Sequence, residues 1–139
     1  MIFVSAGTKD GRELAGYLLQ QGYKVTASVV SQYGENLLER YSGMHINCQA
    51  LDTDGFVTYF ARHGVKLFVD ASHPYAANVS INAMEACQRA KIPYIRYERQ
   101  QTPLDYAKAF YVENYQQAAA KAAELGEHIF LTTGSRNLA

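Results

Sequence analysis

Short apolar runs alternate along this chain with segments in which apolar residues recur at helical spacing. The apolar runs predict strands over residues 2–6, 24–30, 45–50, 65–69, 93–97 and 128–133. The helical patterns predict helices from the turn at 7–11 to about residue 22, over about 35–41, over 53–63, from residue 74 to about 90, and over 116–125. Alternation of this kind is typical of parallel strands joined by helical crossovers. The sequence therefore predicts an α/β protein with a Rossmann-like, doubly wound, mainly parallel sheet and helices on both faces.

Composition and charge narrow the classes of function. With 139 residues, of which 48% are hydrophobic, the chain is long enough for one soluble domain with its own core. Its 13 Lys and Arg residues balance 13 Asp and Glu residues, so no basic excess is present to bind nucleic acid or anionic lipid. The sequence contains no apolar span of membrane length, and Met1 leads directly into a strand pattern, so a cytoplasmic protein is expected.

The two cysteines, Cys48 and Cys87, stand far apart and lack the spacing of a metal site. Cys87 also falls on an apolar helical position. Both are predicted to be small buried thiols, and no metal site is expected.

Polar or glycine-containing turns follow five of the predicted strands. In doubly wound sheets, ligands bind beyond the carboxyl ends of the strands, so these turns are the candidate site. They are Gly7 with Thr8, Ser31 with Tyr33, residues 70–73, residues 96–99 and residues 132–135.

The first of these turns has the physical properties of a phosphate site. Gly7 would let the backbone approach a pyrophosphate, the Thr8 hydroxyl could donate to it, and the following helix would direct its positive end there. The turn lacks the G-x-G-x-x-G spacing of the common dinucleotide fingerprint. An ordinary strand-to-helix turn with a structural glycine therefore stays open as an alternative.

The end of the second strand bears on the choice of nucleotide. NAD-binding folds usually place an Asp or Glu there to hold the ribose 2′-hydroxyl, and this chain has Ser31 instead. Because Ser31, Gln32 and Tyr33 bring no negative charge against a 2′-phosphate, the sequence favours NADPH, with NADH still possible. Ser31 could equally be an ordinary strand-end serine.

The turn after the fourth strand gathers several hydrogen-bonding side chains. Pro74 is predicted in the first turn of the next helix, with Ser72 or His73 as its cap. Asp70 could orient this turn by accepting backbone amides. A small hydrolase that uses Ser72, His73 and Asp70 is a further alternative, although no Gly-x-Ser-x-Gly elbow accompanies these residues.

Six motifs, in this order along the chain, resemble those of the precorrin-6A reductase family, which includes the cobalt-precorrin-6A reductases. They are Gly7-Thr8-Lys9-Asp10-Gly11-Arg12, Tyr33-Gly34, Leu51-Asp52-Thr53-Asp54-Gly55, Asp70-Ala71-Ser72-His73-Pro74-Tyr75-Ala76, Ile92-Pro93-Tyr94 with Arg96 and Glu98, and Leu131-Thr132-Thr133-Gly134. The resemblance extends through the whole chain, and residues 70–76 are its most specific part. It implies an NAD(P)H-dependent oxidoreductase of cobalamin biosynthesis that reduces precorrin-6A, or its cobalt-containing counterpart, to precorrin-6B.

The resemblance also implies roles for individual residues. His73 and Ser72 are the candidate catalytic residues near the reacting centre. Cofactor contacts are expected at Gly7, Thr8, Arg12, Ser31, Tyr33, Asp70, Ser72, Thr133 and Gly134. Arg96 and Arg99 are expected to bind carboxylates of the tetrapyrrole substrate. Both arginines flank Glu98, so a solvated ion-pair cluster is the alternative.

The chain departs from the family pattern in one respect. Family members continue past the turn at 132–134 into a second half, with the active site between the halves. Residues 1–132 are therefore predicted to form the dinucleotide-binding domain, and residues 133–139 the truncated start of a second domain. We expect little reductase activity from such a piece alone, and self-association through the face that the missing half would cover. A dinucleotide-binding or sensing module without catalysis is the alternative function.

Overall fold

Five parallel strands form one sheet in the structure of this chain, a computed structural model that describes residues 1–98 and 105–132. The strands are β1 (Ile2–Ser5), β2 (Val25–Ser28), β3 (His45–Asn47), β4 (Leu67–Asp70) and β5 (Tyr94–Arg96). The connecting helices are α1 (Lys9–Gln20), α2 (Gln32–Leu38), α3 (Thr53–His63) and α4 (Ala77–Ala90). The strand order is β3-β2-β1-β4-β5, and every pairing is parallel. The predicted α/β, doubly wound architecture is confirmed.

The central strand β1 separates two apolar cores because its side chains alternate between the faces of the sheet. Phe3 lies in one core, where its ring packs edge-on against Phe56 of α3. Val4 lies in the other core, together with Ala15 of α1 and Leu38 of α2. Helices α1 and α2 therefore cover one face, and α3 and α4 cover the other.

Helix α3 begins and ends at the predicted residues. The Asp52 carboxylate accepts a hydrogen bond from the Gly55 amide at 2.8 Å, which caps the start of the helix. Gly64 ends it in the left-handed region, with φ of 62°, where a side chain would be strained. Both boundary signals are local, so the sequence was sufficient to place them.

The start of α4 was predicted wrongly. The helix begins at Ala77, and its N-cap Ala76 makes no side-chain capping bond, so neither Ser72 nor His73 caps it and Pro74 precedes its first turn. Residues 73–76 form a separate turn, in which the Ala76 amide donates to the His73 carbonyl at 2.8 Å. Helix α2 likewise begins at Gln32, earlier than predicted, because Ser31 caps it.

The chain divides into two units, residues 1–100 and 101–139. In the second unit, Asn114 caps the start of α5 (Tyr115–Leu125), since its side chain accepts from the Gln117 amide, and the predicted cap Gly126 follows the end of the helix. Residues 128–132 form no strand, so the prediction of a sixth strand is wrong over these residues. The predicted second-domain start at 133–139 lies outside the described residues.

Large apolar side chains of the second unit are exposed, among them Leu125, Ile129, Phe130 and Leu131. Self-association through the face that a second half would cover stays a prediction. Among the helices of residues 1–98 and 105–132, none is long and apolar enough to cross a bilayer.

The two cysteines differ in burial. Cys87 is buried as predicted, and burial raises the pKa of its thiol to about 11, whereas Cys48 is only half-buried. Within the described part of the chain, no group of His, Cys, Asp or Glu side chains is arranged to hold a metal ion.

We expect a thiol reagent such as Ellman's reagent, used near neutral pH, to modify Cys48 well before Cys87. Cys87 should react only as the protein opens, because a buried thiol with a raised pKa supplies almost no accessible thiolate. The measurement is the time course of thiol release from the reagent. Cys48→Ser is the control, because Cys87 is then the one cysteine that remains and should react slowly. Rapid reaction of that variant would contradict the burial of Cys87.

Candidate functional site

The sheet has a topological switch point between β1 and β4. These strands are adjacent, but the chain leaves β1 for the face covered by α1 and leaves β4 for α4, so a crevice opens beyond their carboxyl ends. A cavity of about 170 Å³ lies there. Its lining includes Gly7, Ser28, Val29, Ser72, His73 and Val79. Residues that follow β1, β2, β3 and β4 thus meet at one site, and the turns after β1, β2 and β4 are among those predicted from the strand ends.

The β1–α1 turn leaves open space above Gly7. A Cβ atom built on Gly7 would meet no other atom within 4 Å. The Arg12 guanidinium lies beside the turn, where Nη1 donates to the Gly7 carbonyl at 3.3 Å. An anionic group placed over this turn would therefore meet backbone, a positive side chain and the N-terminal end of α1.

The Thr8 hydroxyl has a different role from the one predicted. Its Oγ1 accepts from the Gly11 amide at 3.0 Å, which caps α1, and donates to the Ala71 carbonyl at 3.0 Å. Because its only proton is directed to Ala71, Thr8 links the β1–α1 turn to the turn after β4.

Gly11 lets α1 approach the sheet closely, a role that the sequence reasoning missed. A Cβ on Gly11 would lie 3.0 Å from the Ala71 oxygen and 3.1 Å from the Ala6 Cα. Both are backbone atoms that cannot move aside easily. The sequence does contain a signal for this role, because Gly11 is a second glycine four residues after Gly7. The signal was overlooked because the segment was compared only with the G-x-G-x-x-G spacing.

The β2–α2 turn carries no carboxylate directed at the cavity. Ser31 Oγ accepts from the Gly34 amide at 3.1 Å and caps α2. The Tyr33 side chain is 73% exposed, so it is available to a ligand. The side-chain nitrogen Nε2 of Gln32 donates to the Glu35 carboxylate at 2.8 Å. Both residues belong to α2, so this bond holds Glu35 against that helix.

Asp70 is fully buried at the end of β4 and is the centre of a polar network. Its Oδ1 accepts from the Ser72 amide at 3.0 Å. Its Oδ2 accepts from Ser80 Oγ and from Tyr94 Oη, each at 2.6 Å, and lies 2.8 Å from Arg96 Nη1. Both carboxylate oxygens are therefore occupied by groups of the protein itself.

Arg96 connects this buried network to the surface. Nη1 also donates to Ser72 Oγ at 3.1 Å, and Nη2 to the Ser72 carbonyl at 3.3 Å. On the exposed side, Nε donates to Glu98 at 2.8 Å. The Arg96–Glu98 pair matches part of the alternative interpretation, but the cluster differs from the solvated one expected, because Arg96 also pairs with the buried Asp70.

These contacts shift three pKa values. Burial acts to raise the pKa of Asp70, but hydrogen bonds from Ser80, Tyr94 and Ser72 outweigh it and lower the pKa to about 2. Burial, together with the bond to Asp70, raises the pKa of Tyr94 to about 12. Partial burial acts to lower the pKa of Arg96, but the pairs with Glu98 and Asp70 raise it above its ordinary value.

Ser72 and His73 are adjacent but committed to different partners. Ser72 is buried against Arg96, whereas His73 is exposed and its Nδ1 accepts from the Tyr75 amide at 3.2 Å. A neutral His73 ring therefore carries its proton on Nε2. This arrangement does not form a Ser-His-Asp triad, because His73 Nδ1 faces Tyr75 rather than an acid.

The structure brings most of the predicted site residues to the carboxyl end of the sheet. Asp70 and Arg96 end strands, and Gly7, Thr8, Ser31, Ser72 and His73 lie in the turns that follow strands. Arg12 and Tyr33 lie at the start of the next helices, α1 and α2. Arg99, Thr133 and Gly134 lie outside the described residues. The sequence analysis did not identify Ser80 and Tyr94 as partners of Asp70. A serine on a helix and a tyrosine on a strand carry no local signal that they share a buried carboxylate.

Comparison with known proteins gives matches along the whole chain. A family model described as precorrin-6x reductase CbiJ/CobK matches residues 1–139. The cobalt-precorrin-6A reductase of Priestia megaterium is 41% identical over 99% of this chain and 54% of its own length. The protein of the same name from Salmonella typhimurium is 31% identical over 99% of this chain and 53% of its own length.

Two solved structures show the likeness of fold. One described as CobK precorrin-6A reductase has a TM-score of 0.71 and 26% identity, and covers 86% of this chain and 46% of that chain. Vestitone reductase from alfalfa has a TM-score of 0.55 and 19% identity, and covers 68% of this chain and 34% of that chain. The chain spans about half the length of the curated relatives it matches.

Proposed function

The chain belongs to the CbiJ/CobK family of precorrin-6x reductases, and from this premise we propose that it carries the nicotinamide-nucleotide site of a precorrin-6A or cobalt-precorrin-6A reductase. The observation that carries the proposal is the open space over Gly7, at the point where the turns after β1, β2 and β4 meet. Ligands of doubly wound sheets bind at such a switch point.

The residues at this point fit a dinucleotide diphosphate. Gly7 presents backbone without a side chain, α1 directs its N-terminal end to the turn, and Arg12 supplies a positive charge beside it. Gly7 and Arg12 are thus retained as proposed cofactor contacts. Thr8 is reassigned to holding the turn, because its proton is already donated to Ala71.

The β2–α2 turn supports NADPH as the nucleotide. Its Ser31 and exposed Tyr33 offer a hydroxyl and an aromatic face, and Glu35 is held against α2 by Gln32. Residues 29–34 contain no acidic side chain that would repel a 2′-phosphate, and the nearest acid along the chain, Glu35, lies within α2.

When bound, the reduced nicotinamide would supply the hydride that the macrocycle accepts. The chain's own residues would position the reactants and exclude water, and Val29, Phe56 and Val79 give the cavity an apolar wall for this purpose. His73 is exposed and lines the cavity, and it is the proposed proton donor to the reacting centre. Ser72, which also lines the cavity, is the proposed contact to the cofactor or substrate near the reacting centre.

Two predicted contacts are revised. Asp70 is too buried to meet a ligand, and we propose that it orients the turn after β4 instead. The Arg96 donors are held by Asp70, Ser72, Ser80 and Glu98, so a substrate carboxylate would have to displace Glu98 to reach it.

Titration with both nucleotides tests the proposed site. We expect NADPH to bind about tenfold more tightly than NADH, a difference of about 1.4 kcal/mol, measured by the fluorescence change of the reduced nicotinamide. Ser31→Asp should keep the helix cap and reverse this preference, because it brings a carboxylate to the 2′ position. Ser42→Asp, with the same charge in the α2–β3 connection, is the matched control.

Tighter binding of NADH to the unaltered chain would contradict the choice of NADPH, and the absence of any nucleotide binding would contradict the proposed site. Addition of precorrin-6A or its cobalt form to the NADPH complex tests for reductase activity, of which little is expected from these 139 residues alone, so only a positive result distinguishes a reductase from a non-catalytic module. Oxidation of the nicotinamide, followed by its absorbance, is the signature of the reductase.

A further inference from the structure

Every polar atom of Ser72 is held by the network around Asp70. The amide donates to Asp70, while the hydroxyl oxygen and the carbonyl both accept from Arg96. Ser72 also lines the cavity at the switch point. The residue is therefore fixed in backbone and side chain at the position where the proposed function puts the nucleotide.

The Asp70 carboxylate is itself fixed by two hydroxyl groups from other elements. Ser80 lies in α4 and Tyr94 lies in β5, and each donates to Oδ2 at 2.6 Å. The Tyr94 ring stacks on Phe68 with the ring centroids 5.7 Å apart, so the packing of the ring fixes the position of its hydroxyl. The network thus ties β4, α4 and β5 to one turn.

We propose that Tyr94 and Ser80 are positioning residues for the nucleotide site, which act through Asp70 to hold Ser72 in its binding arrangement. The inference rests on the proposed function. A side chain that is locked before the ligand arrives loses less conformational entropy on binding than a mobile one. Neither Tyr94 nor Ser80 needs to touch the nucleotide for this effect.

The stacking of Tyr94 gives a conservative variant. Tyr94→Phe removes the hydroxyl from Asp70 and keeps the ring against Phe68. Ser80→Ala removes the other hydroxyl and serves as a second variant if the first does not fold. Tyr59→Phe is the matched control, because Tyr59 packs on Phe3 in the same apolar core as Tyr94, but its hydroxyl lies 3.5 Å from Thr26 instead of bonding Asp70.

The test is a double-mutant cycle between Tyr94→Phe and Ser72→Ala, read as the dissociation constant of NADPH. We expect Tyr94→Phe to weaken binding about threefold to tenfold, as for loss of one hydrogen bond. In the Ser72→Ala background the same change should have little further effect, and Ser80→Ala should behave alike. Tyr59→Phe should leave the dissociation constant unchanged. Melting temperatures are measured in parallel and report any loss of folding stability caused by Tyr94→Phe. A loss that is unrelated to Ser72 would appear equally in both backgrounds.

Two failures are distinguishable. If the unaltered chain binds NADPH but the losses from Tyr94→Phe and Ser72→Ala simply multiply, or Tyr94→Phe has no effect, the positioning role is overturned and the proposed function stands. If the unaltered chain does not bind NADPH, the proposed function fails, and the positioning role fails with it.

Discussion

Replacement of Asp70 with alanine is expected to lower the free energy of unfolding by about 3 kcal/mol. The change leaves two hydroxyl donors, Ser80 and Tyr94, without their buried acceptor and removes the buried partner of Arg96. The effect should fall at the lower end of the range for a broken buried ion pair, because Arg96 keeps Glu98 and its side chain is 25% exposed.

Urea denaturation of the variant and of a surface counterpart measures this effect. Asp54 pairs with Arg89 at 2.9 Å, but the Asp54 side chain is 87% exposed. Asp54→Ala should therefore lower the free energy of unfolding by less than about 1 kcal/mol, although it also removes an aspartate that pairs with an arginine. Similar losses for the two variants would show that the burial of Asp70 does not govern its contribution.

The same carboxylate should make stability depend on pH in the acid range. The folded-state pKa of Asp70, about 2, lies below the ordinary value of 3.8, so its contribution is fully present above pH 3.8 and is lost as the pH falls toward 2. We expect the difference in unfolding free energy between the unaltered chain and Asp70→Asn to narrow over this window. A difference that stays constant down to pH 2 would contradict the lowered pKa.

The sequence was sufficient for those parts of the fold that local signals determine. Asp52 and Gly64 bound α3 at both ends, and each acts on residues within one helical turn. Apolar runs at strand spacing gave the five strands of the sheet, with shorter bounds in the structure. The start of α4 escaped prediction because His73 and Ala76 form a turn of their own before the helix. A proline after a strand does not distinguish these two arrangements.

The polar network could not be predicted, because it depends on which strands are neighbours. Asp70 pairs with Arg96 in register, and Tyr94 lies two residues before Arg96 on the same strand. The local part of the network, the bond from the Ser72 amide to Asp70, agrees with the turn-orienting role that the sequence offered as an alternative to a ligand contact. Nothing local to Asp70 reveals that β5 lies next to β4, and its other partners follow it by 10 to 26 positions.

Substitutions of Gly7, in the β1–α1 turn, and of Gly11, in the first turn of α1, should separate nucleotide binding from folding. Gly7→Val is expected to weaken NADPH binding at least a hundredfold, about 2.7 kcal/mol, because its side chain would fill the space proposed for the diphosphate. Its effect on stability should stay within about 0.5 kcal/mol, since the added Cβ meets no atom within 4 Å and the φ of Gly7 lies outside the left-handed region.

Gly11→Val is the matched control, with the opposite pattern. Its Cβ would lie 3.1 Å from the Ala6 Cα and 3.0 Å from the Ala71 oxygen, so α1 must move away from the sheet. We expect a loss of about 2–3 kcal/mol in unfolding free energy. Nucleotide titration and urea denaturation of both variants give the comparison. If Gly7→Val binds NADPH as tightly as the unaltered chain while remaining folded, the diphosphate does not lie over this turn, and the nucleotide site must be placed elsewhere on the sheet.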